Sequence, residues 1–413
     1  MASQLLGSAD LAELHNIAKT TIDASLVRSG AGITGVGVNS TGHDVRVPGG
    51  TQNYYPAFWI RDAAMMLGTD FVSQKETEGW IKVVIAAMSG STERRLEHSM
   101  VIPPYSVPDH VTLKGEGCFY PGAYAEQGVG DYGLLPPADD AFYFVGMVAE
   151  QRRLAGNDKF LASPLQNGSE AMSVLAWAEK AFEGVAVDPA TGLVVCDPVQ
   201  TRVDWGFCDS VRKTGSCLMP SLLRWRAAGQ LAGLDKKQAS TYREIVTRIA
   251  ASLRSSFLKQ VATDEAMLVS ATGLGQQDDI WASAFTVSLG VLPKEDSTKI
   301  AEHLLRLYKA GKITAEGQVR HLPVGEYWRS ATSGKDTYQN GGYWGTPTGW
   351  LVRALATVDR AAARQLFGEY MLHLRQMKAK GAPFEWCNPA TGQFVNAQYA
   401  STVGLVYTAL VAK

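Results

Sequence analysis

The feature that most constrains the fold of this chain is a helical periodicity that recurs along nearly all of its 413 residues. Ile245, Ile249, Leu253 and Phe257, for example, are spaced so that they lie on one face of a helix. Ser73 stands where a helix start signal is expected, just before another periodic stretch. The pattern predicts twelve helices, near residues 9–28, 59–73, 75–89, 137–155, 168–184, 216–232, 235–259, 277–291, 294–311, 346–357, 358–379 and 397–412.

Twelve helices arranged as six hairpins are what an all-α (α/α)6 toroid requires. The inner helices of such a toroid are apolar on nearly every side, and the outer helices are amphipathic. Segments 277–291 and 397–412 have inner character, whereas 235–259 and 358–379 have outer character. No linker, composition break or close repeat divides the chain, so we expect one catalytic domain over residues 1–413.

A doubly wound α/β fold is the competing architecture, but buried strands and helices do not alternate regularly along the chain. The best candidate for a phosphate-binding loop, Gly273-Leu274-Gly275, lacks both a third glycine and a following Gly-Lys-Ser/Thr. A dinucleotide-binding or nucleotide-binding protein is therefore disfavoured.

Long polar and aromatic loops separate the predicted helices. Such loops in a compact fold are usually functional, and we expect short β-hairpins within them at one end of the toroid. They cover residues 30–57, 90–136, 185–215, 312–345 and 380–396.

Composition excludes several classes of partner. The 39 basic and 40 acidic residues give a net charge of −1 without a basic run, so nucleic acid is not an expected partner. No apolar run is long enough to cross a membrane, and the N-terminus lacks the pattern of a secretory signal. Five cysteines without metal-ligand spacing indicate free thiols in a reducing cytoplasm. No metal and no organic cofactor is implied, and the sequence leaves the oligomeric state open.

Three segments place an acidic residue next to or near a tryptophan. They contain Trp59 with Asp62, Asp204 with Trp205, and Glu385 with Trp386. Because the apolar faces of sugars stack on aromatic rings while carboxylates bind their hydroxyls, three such clusters in one helical chain indicate a carbohydrate site.

The order of these segments is similar to that in a group of (α/α)6 glycoside hydrolases. Residues 53–62 (NYYPAFWIRD) resemble the aromatic-Trp-x-Arg-Asp segment of glucoamylases, trehalases, processing α-glucosidases and neutral invertases. Residues 338–345 (YQNGGYWG) resemble the Asn-Gly-Gly-x-Trp loop of the neutral invertases. Residues 385–392 (EWCNPATG) resemble the Glu-aromatic-x-Asn/Asp-x-x-x-Gly segment of these enzymes.

The resemblance implies a pair of catalytic carboxylates, with the general acid in the middle of the chain and the general base near its C-terminus. The base is then Glu385. For the acid we favour Asp204, because Val203 and Trp205 flank it and desolvation raises the pKa of a carboxyl group. The alternative is Asp209, which precedes a serine as in the Asp-Asn-Ser of the processing glucosidases.

The same resemblance implies a set of substrate-binding residues. Asp62 is expected to bind sugar hydroxyls, with Arg61 neutralising a neighbouring charge. Further ring faces and hydroxyl partners are expected from Trp59, Trp205, Trp344, Trp386, Tyr54, Gln339 and Asn340.

The sequence therefore predicts an inverting glycoside hydrolase that acts on a short α-linked saccharide. Inverting enzymes keep their two carboxyl groups about 6.5–9.5 Å apart. The alternatives are a glycoside phosphorylase or a sugar epimerase on the same barrel, and a non-catalytic sugar-binding protein.

Overall fold

The computed structural model of the chain describes residues 6–50, 55–96, 100–119, 133–199 and 203–411. In this part of the chain twelve α-helices occur, and each overlaps one of the predicted segments. They are α1 (Ser8–Ala24), α2 (Ile60–Met65), α3 (Gln74–Ala87), α4 (Asp140–Ala155), α5 (Val174–Glu183), α6 (Leu218–Leu234), α7 (Ala239–Phe257), α8 (Ile280–Leu289), α9 (Lys294–Lys309), α10 (Thr348–Ala356), α11 (Arg360–Gln376) and α12 (Ala400–Val411).

The even-numbered helices form a closed inner ring. Each of them packs against the next, from α2 through α4, α6, α8, α10 and α12, and α12 packs against α2. The odd-numbered helices form an outer ring: α1 lies on α12, α3 and α5 on α4, α7 on α6, α9 on α8 and α11 on α10. Two concentric rings of six helices are the predicted (α/α)6 toroid. The inner character expected of α8 and α12 and the outer character expected of α7 and α11 are confirmed.

Local sequence signals explain where the helices begin and which sides they bury. The side chain of Ser73 accepts a hydrogen bond from the Glu76 amide at the start of α3. Asp279 caps α8 in the same way through the Ala282 amide. In α8 every residue from Ile280 to Val287 is buried, as an inner helix requires. Among the described residues, no helix is both long and apolar enough to span a bilayer.

Short antiparallel strands fill the loops between the helices, as expected. Among the described residues the largest sheet has five strands in the order β16-β17-β18-β19-β20, and the other sheets have two or three strands. The strands are β1 (Leu26–Val27), β2 (Gly32–Ile33), β3 (Gly37–Val38), β4 (Val45–Arg46), β5 (Phe58–Trp59), β6 (Arg94–Arg95), β7 (Val101–Ile102), β8 (His110–Val111), β9 (Gly117–Cys118), β10 (Pro164–Asn167), β11 (Glu170–Ser173), β12 (Val195–Cys196), β13 (Gly215–Ser216), β14 (Leu258–Ala262), β15 (Glu265–Leu268), β16 (Thr314–Ala315), β17 (Gln318–Arg320), β18 (Tyr343–Trp344), β19 (Phe384–Asn388) and β20 (Gln393–Ala397).

Two helix boundaries differ from the predicted ones by more than five residues. Helix α5 begins at Val174 rather than near residue 168, because β10 and β11 form a hairpin that turns at Gly168-Ser169. Gly168 has φ +56°, and a glycine at the first turn position followed by serine is a hairpin signal. Helix α2 ends at Met65, well before residue 73.

Candidate active site

A cavity of about 190 Å³ lies where distant parts of the chain meet. That volume holds on the order of six water molecules. Residues from positions 55 to 399 contribute to it, so the toroid brings together loops that are far apart in sequence. The cavity is lined by Tyr55, Trp59, Arg61, Asp62, Asp109, Gly206, Phe207, Asp209, Tyr338, Glu385 and Tyr399.

Glu385 projects into the cavity from strand β19, which replaces the loop that we expected at this position. Its Oε2 accepts a hydrogen bond from Asn396 Nδ2 at 2.5 Å, and the Tyr55 hydroxyl donates to Oε1 at 3.2 Å. Burial raises the pKa of Glu385 to about 8, and the charges of Asp62 and Asp209 add to this rise. The two hydrogen bonds act in the opposite direction, because they stabilise the ionised form.

Asp62 lies in the first turn of α2 and lines the same cavity. Its Oδ1 accepts a hydrogen bond from the Ser401 hydroxyl of α12 at 2.6 Å. Burial raises the pKa of Asp62 to about 6, against the opposing effect of the Arg61 charge. Asp62 is thus held on the inner ring at the cavity, where the sequence predicts a residue that binds sugar hydroxyls.

Asp209 is the carboxylate that the loop after residue 203 contributes to the cavity. Its Oδ1 accepts a hydrogen bond from Gln339 Nε2 at 2.9 Å, and Gln339 Oε1 accepts one from the Ser210 amide at 2.9 Å. Burial raises the pKa of Asp209 to about 6, while Gln339 and Arg61 oppose the rise. Gln339 was predicted as a substrate partner. It instead contacts the loop of residues 203–214, called the acid loop below, and positions Asp209.

Asp204 is not among the residues that line the cavity, which corrects the position expected for the favoured acid. Its carboxylate is fully buried, and Oδ1 accepts a hydrogen bond from Lys213 Nζ at 3.0 Å. The Lys213 side chain is itself only 1% exposed. Burial raises the pKa of Asp204, as inferred from the sequence, but Val203 and Trp205 are buried as well, so this segment lies in the core.

Arg61 lies at the edge of the cavity within a cluster of carboxylates. Its Nη1 donates to Asp109 Oδ1 at 2.6 Å and to Asp140 Oδ1 at 3.0 Å, and its Nε lies 3.9 Å from Asp139 Oδ2. A Cβ atom at Gly206 would lie 2.0 Å from Arg61 Cζ, so only glycine fits at this position of the acid loop. In the described part of the chain, no group of three or more His, Cys, Asp or Glu side chains is placed to hold a metal ion.

Of the four tryptophans predicted to stack on sugars, Trp59 lines the cavity. The His110 ring stacks on it with the ring centroids 4.1 Å apart. The remaining three lie in the core instead: Trp205 donates to the Tyr143 hydroxyl, Trp344 donates to the Tyr338 carbonyl, and Trp386 is buried beside Tyr338.

The remaining predicted polar contacts also differ from expectation. Asn340 is buried and bonds to the protein, since its Oδ1 accepts from the Trp328 amide and its Nδ2 donates to the Ser333 carbonyl. Tyr54 lies outside the described residues. The neighbouring Tyr55 was not predicted, although it stands in the same segment and binds Glu385 directly.

Sequence reasoning also missed Phe207, Tyr338, Tyr399 and Asp109 as cavity residues. Tyr55 and Tyr338 share an unusual backbone, with φ of +48° and +45°. Positive φ is costly for a bulky side chain and tends to occur at functional sites. The motif segments that contain both residues were the available signal, but a sequence does not show which of their aromatic side chains points inward.

Comparisons with known proteins identify the fold. No protein-family model and no curated protein matches the chain. A rhamnosidase from Klebsiella oxytoca with rhamnose bound aligns with a TM-score of 0.57 at 12% identity, over 98% of this chain and 64% of its own. A GH63 mannosylglycerate hydrolase from Thermus thermophilus in complex with glucose aligns with a TM-score of 0.57 at 14% identity, over 96% of this chain and 99% of its own.

The glucoamylase of Hormoconis resinae aligns with a TM-score of 0.57 at 13% identity, over 98% of this chain and 73% of its own. The chain thus spans just under two thirds of the length of the rhamnosidase and nearly all of the mannosylglycerate hydrolase. At these identities the similarity is one of architecture, and the chain has the (α/α)6 fold that these glycoside hydrolases share.

Proposed function

We propose that the protein is an inverting glycoside hydrolase that acts on a short α-linked saccharide, with Asp209 as general acid and Glu385 as general base. The observation that carries this proposal is the presence of both carboxylates, together with Asp62, in one small cavity. The (α/α)6 glycoside hydrolases with the same fold support it, and two of them hold rhamnose or glucose.

In this mechanism Asp209 protonates the glycosidic oxygen while Glu385 removes a proton from the attacking water. Asn396 and Tyr55 donate to Glu385 and so favour the ionised form that a base needs. Asp62 binds hydroxyl groups of the sugar, and Trp59 offers a ring face. The single-ligand size of the cavity favours removal of one terminal sugar over cleavage within a polymer.

The pKa values of the two carboxyl groups stand in the reverse order of these roles, about 8 for Glu385 and about 6 for Asp209. The two groups titrate as a pair, because the Asp209 charge contributes to the raised pKa of Glu385. A glycosidic oxygen that accepts a hydrogen bond from Asp209 favours its protonated form. Protonation of Asp209 removes that contribution and helps Glu385 to ionise.

The alternatives lack a supporting observation. Sugar epimerases on this barrel rely on histidine pairs, and no histidine is among the described residues that line the cavity. A phosphorylase must bind phosphate beside the sugar, and the only described cation at the cavity, Arg61, already contacts Asp109 and Asp140.

The proposal is tested with a panel of aryl glycosides and α-linked disaccharides, each incubated with and without phosphate. We expect phosphate-independent hydrolysis, and proton NMR of the first product should detect the β-anomer from an α-glycoside. If the α-anomer is the first product, the mechanism is retaining rather than inverting. Turnover only in the presence of phosphate would make the enzyme a phosphorylase, and no turnover of any glycoside would refute the proposed activity.

A further inference from the structure

Arg61 is the only cation among the described residues that line the cavity. Its charge is already paired with carboxylates of the protein. Nη1 lies 2.6 Å from Asp109 Oδ1 and 3.0 Å from Asp140 Oδ1, and Asp139 approaches Nε on the same side. Arg61 and Asp109 are both nearly inaccessible to solvent, with side chains 5% and 1% exposed. Arg61 therefore cannot offer its full charge to an anionic ligand.

The groups that a ligand meets in the cavity are predominantly acidic. Asp62, Asp109, Asp209 and Glu385 line it, against the single guanidinium of Arg61. Outside the described residues, lysine or arginine occurs in the sequence only at Arg202 and Lys413. The segments 51–54 and 120–132, which flank strands of the cavity region, contain neither.

We propose that Asp109, supported by Asp140, withholds Arg61 from ligands and thereby restricts the terminal sugar of the substrate to a neutral one, excluding uronic acids and sugar phosphates. This inference rests on the proposed function, because it concerns the sugar that the same cavity binds. Asp109 is then a specificity-determining residue: it also accepts a hydrogen bond from His110 at 2.7 Å, which fixes its carboxylate against Arg61.

The expected discrimination follows from Coulomb's law. A ligand carboxylate roughly 6 Å from one uncompensated carboxylate, at an effective dielectric constant of about 20, loses on the order of 100-fold in affinity. Freeing the guanidinium should recover much of this loss, since arginine pairs well with carboxylate and phosphate.

The test compares matched sugars that differ by oxidation at C6, as aryl glycosides in turnover and as free sugars in calorimetric binding. For the wild type we expect the neutral sugar to bind on the order of 100-fold more tightly than its uronic acid. In Asp109→Asn this preference should fall at least 10-fold, because Arg61 loses the shortest of its ion pairs and one negative charge leaves the cavity. Asp140→Asn is a second variant that tests the same cluster if Asp109→Asn does not fold.

Two controls isolate the effect. Asp296→Asn removes another buried carboxylate that pairs with an arginine, Arg254, at 2.7 Å, but outside the cavity, and it should leave the preference unchanged. Arg202→Gln tests the cation that lies just before the acid loop, and it should also leave the preference unchanged. Because the readout is a ratio of two ligands in one protein sample, the fraction of active protein cancels.

The outcomes separate this inference from the proposed function. If no glycoside is hydrolysed but neutral sugars still bind in preference to uronic acids, the activity is refuted and the inference stands. If uronic acids bind or react as well as neutral sugars, or if no sugar binds, the inference is overturned. It is overturned as well if folded Asp109→Asn and Asp140→Asn both keep the wild-type preference, or if Arg202→Gln alone changes it.

Discussion

Asp204 and Asp209 lie five residues apart on one loop, and the structure leads us to expect opposite consequences when each is changed to asparagine. Asp204→Asn should lower stability. Its carboxylate is 3.0 Å from Lys213 Nζ, and both side chains are 1% exposed, so the substitution leaves a buried ammonium without its counter-charge. Breaking such a pair costs about 3–5 kcal/mol.

The lower end of that range applies, for two reasons. The asparagine oxygen can still accept a hydrogen bond from Lys213, and the charge of Asp279 also stabilises the Lys213 ammonium. For 413 residues the entropy of unfolding is about 0.9 kcal/mol per kelvin, from about 2.1 cal/mol/K per residue. A loss of about 3 kcal/mol therefore lowers Tm by about 3–4 °C. We expect kcat to fall far less than in Asp209→Asn, because the asparagine oxygen can still accept from Lys213 and keep the loop in place.

Asp209→Asn should instead remove activity and spare stability. The new amide oxygen can still accept from Gln339 Nε2, and burial already raises the pKa of the native carboxyl to about 6. Loss of a general acid costs about 10²- to 10⁴-fold in kcat. That loss should be confined to substrates with poor leaving groups, because a dinitrophenolate leaves without protonation.

The assay measures Tm by scanning calorimetry and kcat on a disaccharide and on a dinitrophenyl glycoside for both variants. The reasoning is refuted if Asp204→Asn shows the leaving-group dependence and Asp209→Asn does not, since the acid would then be Asp204. It is equally refuted if Asp209→Asn lowers Tm by as much as Asp204→Asn. If kcat depends on the leaving group equally in Glu385→Gln and Asp209→Asn, then Asp209 is not the sole general acid, and the two roles are exchanged or shared.

Three further changes probe the site. Glu385→Gln should abolish turnover of good and poor substrates alike. Calorimetry should also show that the Tm of this variant, relative to that of the wild type, increases from pH 5 to 8. The pKa of Glu385 in the folded protein, about 8, lies above the usual 4.5, so the wild type loses stability as pH rises between those values, by about 3 kcal/mol at pH 7. Tyr55→Phe removes a donor to the Glu385 carboxylate, so kcat/KM should fall about 10- to 100-fold and its acidic limb should move to higher pH; an unchanged pH profile would contradict the contact. Gly206→Ala places a methyl group against Arg61, so we expect a loss of about 1–3 kcal/mol in chemical unfolding, whereas Gly229→Ala, with nothing within 4 Å, should be neutral or stabilising.

Helix positions could be predicted from the sequence because the signals that set them are local. The cap at Ser73 and the stripe from Ile245 to Phe257 act within one or two turns, and both elements are present. Alternation of apolar and amphipathic helices was enough to predict two rings. The five-stranded sheet was less accessible, since β18 and β19 pair residues from two separate predicted loops, 312–345 and 380–396.

The identity of the acid depends on contacts that a sequence does not display. Asp204 and Asp209 both follow an apolar or sulphur-containing residue, and either could have faced a cavity. What separates them is a lysine nine residues away, which holds Asp204 in the core, and Gln339, which contacts Asp209 across 130 residues. Burial beside Trp205 correctly indicates a raised pKa, but a core position and an active site both produce it.

The buried Asp204–Lys213 pair has a consequence for catalysis even though neither residue lines the cavity. The acid loop contains little regular structure, yet that pair braces it from within. The Gly206 amide, which donates to Asp139, and the Ser210 amide, which donates to Gln339, tie it to other parts of the chain. A buried ion pair adds little net stability compared with apolar packing, so its value lies in selecting one conformation. Because a general acid must be held to within about half an ångström of its working position, a loop anchored on both sides of Asp209 meets that demand better than a free one.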